Sequence, residues 1–445
     1  MSRKDEIIEN VSTKQDRIAT IARKYSDQPI LSIAQHIDLE WLYVAFLQTR
    51  KDGVLGIDEQ SAEEYCSNLR ENLESLLDKL KSGRYRAPAV KRIYIDKGKG
   101  GETRPLGVPT FEDKVLQRAI LMATSPILEQ KFYDFSYGFR KGKSAHQALK
   151  ALREICMKLG GGWVIDMDIR KYFDSIDHNL LMDIFKQRVC DGVITRVIGK
   201  WLKAGVMEAG IISYSDEGTP QGGVISPFLS NIFLHEVLDN WFIKVVQPRL
   251  TGRSAIIRFA DDAVLIFENR IDALRVLKVL PKRFGKYKLT LHPEKTRLVK
   301  FTNPSVNKYD DGKPETFSFL GFTLYWGKSR KGDFLLIKLK TEKNRLARSI
   351  RKVHDWLKRH RHYKICEHHE KLCRMMKGHY AYFGMSFNSR AMSRYFHECG
   401  RNWFKWLKRR SQKKRLTWEK FVQITEQYSL PKPRVIHSLW SKPLT

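Results

Sequence analysis

A chain of 445 residues with 42% hydrophobic and 11% aromatic content can build two or three cored domains, which excludes a disordered protein. Its formal charge of +32 excludes a chain that works alone and demands a polyanionic partner. No apolar run approaches the ~20 residues that span a bilayer, so nucleic acid and not a membrane is the expected polyanion.

The N-terminus, "MSRKDEIIENVSTKQDRIA", alternates charges without an apolar core and predicts neither a signal nor a transit peptide. Residues 1–90 read as helices. In "SAEEYCSNLRENLESLLDKLKSG", Ser61 and Glu64 form a capping box, and Tyr65, Leu69, Leu73, Leu76, Leu77 and Leu80 recur at helical spacing. Residues 91–327 change to short β-rich runs, Gly/Pro turns and intervening helices, an α+β section. "RIYIDKGKGGETRPLGVP" predicts a hairpin with Lys97 and Arg104 on its two arms, where both could grip a triphosphate.

"GWVIDMDIRKYFDSIDH" predicts a strand running into a turn and helix, with Asp166 and Asp168 on one face. Periodicity leaves open which of the two acids matters. "GTPQGGVISPFLSNIFLHEVLD" sets Gln221 between a proline and two glycines, and glycines let a backbone approach a ligand closely. "IIRFADDAVLIFEN" predicts a buried hairpin with Asp261 and Asp262 at its tip. Adjacent carboxylates repel, and burying them costs several kcal/mol unless a cation lies between them. An Asp–Asp pair alone is an ordinary turn. Beside a strand-end Asp it becomes a hard-oxygen site for two magnesium ions roughly 4 Å apart.

From residue 328 onward helices and positive charge dominate, with 31 Lys and Arg against 8 Asp and Glu. A helix over 342–359 puts Leu346, Ile350, Val353, Trp356 and Leu357 on one face and basic residues on the others. "RNWFKWLKRRSQKKR" repeats the design with Trp403, Phe404 and Trp406. Arg345, Arg348, Lys352, Arg401, Lys405, Arg409, Arg410, Lys413 and Lys414 are the candidate nucleic-acid contacts of this tail. The six cysteines show no disulfide framework, and "CEHHEKLC" lacks a second ligand pair at zinc spacing, so a reduced, cytoplasmic protein is expected.

"RPLGVPTFEDKVLQRAI", "FYDFSYGFRKGKSAHQAL", "VIDMDIRKYFDSIDHNLLM", "GTPQGGVISPFLSNIFLHEVLD", "RFADDAVLIF", "LHPEKTRLVKF" and "FSFLGFTLYWGKS" follow one another in that order. The series resembles the successive blocks of group II intron-encoded reverse transcriptases, also called maturases, from about residue 40 to the C-terminus. "KGHYAYFGMSFNSRAMSRYF" and the basic stretch after it resemble that family's thumb, or X, domain and its following basic region.

The resemblance implies a right-hand polymerase. A helical extension and the start of the fingers would occupy 1–90, fingers and palm 91–327, an all-α basic thumb 328–410, and a basic nucleic-acid-binding region 411–445. It implies that Asp168, Asp261 and Asp262, with Ile169, bind two Mg2+ ions, for which Mn2+ could substitute. The aromatic pair Tyr172-Phe173 selects Asp168 over Asp166 and puts Phe173 at the sugar-discriminating position. Lys97 and Arg104 match the triphosphate-binding pair, Gln221 lines the nucleotide pocket, and Lys295 in "HPEKT" falls near the leaving pyrophosphate.

The implied activity is RNA-directed DNA polymerisation. The implied partners are an RNA template, intron RNA, a DNA primer or target and dNTPs, in the bacterial cytosol, with a homodimer left open. The family's usual Tyr-Ala-Asp-Asp appears as Phe259-Ala260-Asp261-Asp262, which keeps the aromatic packing and loses one hydroxyl. No endonuclease-like Cys pairs with His-Asn-His and no RNase H block are found in the chain. Two other readings stand beside this one: a splicing cofactor that only binds RNA, and a host-adapted reverse transcriptase in phage defence or DNA repair. Three intact acids count against the first, because a pure binding protein has no reason to keep buried like charges.

Overall fold

The computed structural model describes residues 2–96, 103–208, 211–214, 218, 222–304, 315–329, 332, 334–410 and 416–440. Two compact units divide the chain, 1–144 with 165–265 and 269–298, and 145–164 with 266–268 and 299–445. Its strands are β1 (Val90–Asp96), β2 (Thr103–Val108), β3 (Trp163–Met167), β4 (Val206–Glu208) and β5 (Ile211–Ser213). They continue as β6 (Ser254–Phe259), β7 (Asp262–Phe267), β8 (Arg297–Lys300), β9 (Phe317–Phe319), β10 (Phe322–Lys328) and β11 (Leu335–Thr341). No helix among the described residues is long and apolar enough to cross a membrane.

In the first unit, side-chain caps set where helices begin. Asp38 accepts from Trp41 N at 2.9 Å, Thr110 from Asp113 N at 3.2 Å, and Asp177 from Leu180 N at 2.9 Å. The expected capping box is present, with Ser61 N donating to Glu64 Oε2 at 2.7 Å and Glu64 N to Ser61 Oγ at 3.1 Å. The helical stretch behind it breaks in two, Ala62–Ser67 and Leu69–Lys81. Asn68 leaves helical geometry at φ −120°, ψ 41°, and the Asn72 amide donates back to Tyr65 O at 2.9 Å. Tyr65, Leu73, Leu76 and Leu80 are buried as their spacing requires.

The β1–β2 hairpin is antiparallel, with Ile95 opposite Arg104. Its sheet is ordered β2–β1–β4–β5, and residues 97–102 at its tip, Lys97 among them, lie outside the described residues. A second sheet is ordered β6–β7–β3–β8. Val264, Leu265, Ile266 and Phe267 of β7 are all buried, as in a strand covered on both faces.

In the second unit, β11–β10–β9 form an antiparallel sheet. The expectation that 328–410 is all-α is thereby corrected: β11 lies within it, because its alternating apolar residues pair with β10, and the helices begin only at Lys343. Helices Lys343–Arg359, Ile365–Phe383, Ser389–Lys408 and Trp418–Gln427 follow. Leu346, Val353 and Leu357 turn into one core with Leu372, Met376 and Trp403, as the apolar stripe over 342–359 requires.

One buried network in the first unit titrates. Asp113 accepts from the Tyr85 hydroxyl, from Trp201 Nε1 at 2.7 Å and from Gln117 Nε2 at 3.1 Å. Burial outweighs these donors and pushes its carboxyl up to about 6. A carboxyl raised on folding stabilises the native state below about pH 4, and that contribution is lost as pH rises through its folded value. The stability of Asp113→Asn relative to wild type should therefore climb between about pH 4.5 and 7.5, by up to about 3 kcal/mol in thermal melts. A difference that stays flat across that range would show that folding does not shift Asp113.

Candidate active site

Asp168 sits just past the end of β3, and its backbone is held from the segment after the helix Arg270–Gly285. His292 N donates to Asp168 O at 2.8 Å, Asp168 N donates to Thr296 Oγ1 at 3.3 Å, and Ile169 bridges Leu291. Lys295 Nζ lies 2.7 Å from Asp168 Oδ2. Asp166, on the same strand face, meets Arg297 at 3.8 Å, and burial pushes its carboxyl up to about 6. Both acids that periodicity could not separate are thus present, and each has its own cation.

Past Asp168 the chain turns through Lys171 at φ 46° into a short 3-10 turn, Tyr172–Ser175. Tyr172 is buried and its hydroxyl donates to Ser230 O at 2.6 Å. Phe173 is buried beside it, and the Arg104 guanidinium stands 5.9 Å from the Phe173 ring centre.

The acidic pair lies where β6 turns into β7, with Asp261 in the turn and Asp262 the first residue of β7. Ala260 takes φ 57°, a left-handed backbone that non-glycine residues adopt only when their surroundings enforce it. Arg258 does the enforcing. Its side chain is fully buried and donates twice to Asp239, Nε to Oδ1 at 2.8 Å and Nη2 to Oδ2 at 2.6 Å. Its remaining nitrogen donates to Asn231 Oδ1 at 2.9 Å and to the Ala260 carbonyl at 3.0 Å. Asn231 Nδ2 in turn donates to Gly138 O at 2.6 Å. A Cβ on Gly138 would stand 2.2 Å from Ala260 N, so glycine is needed at that approach. Although burial works to raise it, Arg258 holds the Asp239 carboxyl below its ordinary value.

The Asp261 carboxyl is pushed up by burial and by Asp168, while Arg104 and Arg258 pull it down. Asp168, Asp261, Arg104, Phe173 and Lys295 thereby share one electrostatic neighbourhood. Asp262 begins β7 with an exposed side chain. Among the described residues, no three His, Cys, Asp or Glu side chains converge as a metal chelate. The donor set still suits a divalent cation: hard carboxylate oxygens, with a half-buried Asp261 whose charge its own site disfavours.

Gln221, Lys413 and Lys414 lie outside the described residues, as does Lys97. Beside Gln221, the backbone at Gly222 approaches Gly107 O of β2, where a Cβ would stand at 2.6 Å. The close approach served there is to the chain's own strand. Gln117 Oε1 accepts from Val224 N at 2.7 Å and Ile225 N at 3.3 Å, which fixes the exit of that loop.

In the second unit, Arg345, Lys352, Arg401, Lys405 and Arg409 are exposed, and Arg348 is half-buried. Arg345 and Arg401 lie 3.8 and 3.6 Å from Glu342 and Glu398, and Lys405 and Arg409 lie over the Trp406 ring. Arg410 differs from these, since it is half-buried and donates to the Tyr363 carbonyl.

Sequence reasoning passed over Arg258, Asp239, Asn231, Gly138, Asp113 and Gln117. The one available signal was Arg258 itself, a lone charge inside an apolar run, which must be paired if the run is buried.

The profile of the family described as reverse transcriptase (RNA-dependent DNA polymerase) matches residues 95–324, which take in all the residues of this site. Protein YkfC of Escherichia coli K12 is 34% identical, over 74% of this chain and 91% of its own length. The group II intron-encoded protein LtrA of Lactococcus lactis subsp. cremoris is 38% identical, over 43% of this chain and 31% of LtrA. Nuclear intron maturase 1 of Arabidopsis thaliana is 28% identical over 21% of this chain.

Removing one member of a buried ion pair strands the other charge at a cost of about 3–5 kcal/mol. Arg258→Met should lose stability of that order in denaturant unfolding, and Arg258→Met with Asp239→Leu should recover part of it. A double variant no more stable than the single would show that Asp239 is not the group Arg258 neutralises.

Proposed function

The chain belongs to the reverse transcriptase family, RNA-directed DNA polymerases that generally use divalent metal ions, and on that premise we propose that it extends a DNA primer on an RNA template with two magnesium ions. One observation carries the reading. Asp168 and Asp261 stand close enough for one carboxylate to oppose ionisation of the other, with Arg104, Phe173 and Lys295 around them.

Asp168, Asp261 and Asp262, with the Ile169 carbonyl, would hold the ions, Mg2+ or in its place Mn2+. When bound these supply a lowered pKa at the primer 3′-hydroxyl and charge neutralisation at the departing pyrophosphate. The protein's own groups do the rest. Arg104 presents a planar fork of donors to triphosphate oxygens, together with Lys97. Phe173, with the Arg104 guanidinium over its ring, would form a wall beneath the incoming sugar that leaves no room for a 2′-hydroxyl. Gln221 lines the base side of that pocket. The Lys295 ammonium, now on Asp168, would swing to the pyrophosphate and offset its charge as it leaves.

The division into fingers (from within 1–90), palm (to 327), thumb (328–410) and basic region (411–445) belongs to the same proposal. In it the thumb residues Arg345, Arg348, Lys352, Arg401, Lys405 and Arg409, with Lys413 and Lys414, bind template and intron RNA, and through the latter assist splicing in the cytoplasm. LtrA, by its name encoded by a group II intron, supports that second role, although the match takes in only 31% of LtrA.

Primer extension on an RNA template with dNTPs and magnesium tests the reading. Wild type should extend, and Asp261→Ala should fall by roughly two to three orders of magnitude while RNA affinity stays within about twofold. Phe173→Ala should incorporate ribonucleotides that wild type rejects. Tight RNA binding without extension by wild type would leave a splicing cofactor. RNA affinity should drop by about 0.7 to 0.9 log units per phosphate contact for each tenfold rise in salt. A salt-insensitive affinity would remove the basic tail from the interface.

A further inference from the structure

Phe139 is the one residue of the "SYGFR" stretch whose side chain the fold leaves outside. It is 56% exposed, and its backbone takes φ 57°. A phenylalanine in that conformation is strained, and exposure returns none of that cost through burial. Both neighbours are tied down, so the position is imposed. Gly138 is pressed on Ala260 and held by the Asn231 amide at 2.6 Å. Arg140 donates to Glu129 Oε2 at 2.8 Å, to Tyr133 O at 2.7 Å and to Ser136 O at 2.8 Å. Upstream, Tyr137 N donates to Arg258 O at 2.8 Å, and Arg258 N to Phe135 O at 2.9 Å.

The same hydrogen bonds that hold the acidic turn thus hold Phe139. Its ring centre lies 6.5 Å from that of Phe259, which directly precedes Ala260 and the two acids. Phe139 also lines a cleft of about 620 Å3, whose charged walls are Arg118 and Lys141 with Asp16 and Glu129. A rigid, exposed aromatic that shares a cleft with Arg118 and Lys141 is the type of surface on which nucleobases stack.

We propose that Phe139, with Phe259 as its neighbour, is the stacking platform for the base at the 3′ end of the primer. The commitment to the primer follows from adjacency, because the strand whose terminal hydroxyl is held at Asp261 and Asp262 is the one that passes Phe259 and Phe139. The inference rests on the polymerase reading above and assigns it a binding residue.

Strain supplies a clean variant. Phe139→Gly keeps the left-handed backbone without its steric cost, so it should melt no lower than wild type. The test places 2-aminopurine at the primer 3′ end of a primer–RNA template duplex and reads its fluorescence on binding, without metal or dNTP. Wild type and Phe139→Trp should quench the probe. Phe139→Gly should lose that quenching and bind the duplex on the order of tenfold more weakly. Quenching retained by Phe139→Gly, or quenching only when the probe sits in the template strand, would overturn the assignment. Extension assays on the same proteins keep the two readings apart. A wild type that extends primers while Phe139→Gly matches it in binding defeats the stacking platform alone, whereas a wild type that never extends defeats the polymerase.

Discussion

The buried pair of Arg258 and Asp239 is the constraint on which the acidic turn depends. Two opposite charges with no solvent contact are costly to bury, and such a pair persists when its geometry leaves no hydrogen-bonding position unused. Here the guanidinium also reaches Asn231 and the carbonyl of Ala260, so the charge that holds the interior together fixes the backbone one residue before Asp261. Asn231 passes the constraint to Gly138, and the Arg258 main chain passes it to Phe135 and Tyr137. The stored conformational cost at Ala260 is thus balanced by interactions distributed over three separate chain segments.

That rigidity makes the electrostatics of the acids workable. A flexible turn would relieve repulsion by letting Asp261 swing into water. A clamped turn keeps the charge half-buried near Asp168, and the local cations answer it: Lys295 on Asp168, Arg297 on Asp166, Arg104 toward Asp261. These three cations belong to the machinery proposed to handle the triphosphate or lie next to it. The protein's own ammonium and guanidinium groups thus offset the like charge of the three acids.

Local signals in the sequence carried over well where the physics is local. Ser61 and Glu64 cap as their spacing dictates, and Leu346, Val353 and Leu357 bury the stripe of their helix, because capping and amphipathicity need only neighbours a turn away. The break at Asn68 was hidden behind an unbroken apolar period, since Tyr65 and Leu73 keep their inward positions on either side of it. The π-helical turns His235–Asn240 and Phe242–Val246, one of which places Asp239 against Arg258, leave no periodic trace at all. At the site, the acids were legible from residue type and order, whereas their supports were not. Nothing about Asn231, Asp239 or Gly138 marks them until chain segments far apart in sequence are brought together.

The second unit shows why a strongly cationic surface and an aromatic core go together. Trp403, Tyr395 and Tyr380 fill its centre, which leaves the outward positions of the same helices for long basic side chains. Several of these lie along the rings: Lys405 and Arg409 over Trp406, Lys408 over Phe404. A ring quadrupole steadies a cation without neutralising it, and carboxylates are too few in this stretch to do so, with 8 against 31 basic residues from 328 onward. The charge is therefore oriented and left over. A phosphate backbone offers the density of negative charge to match it, and counterion release would then make the proposed association strong at low salt and quick to loosen as salt rises. On the proposed function, specific chemistry and general affinity would be separated along the chain, the first set by a rigid buried clamp and the second by steadied charge.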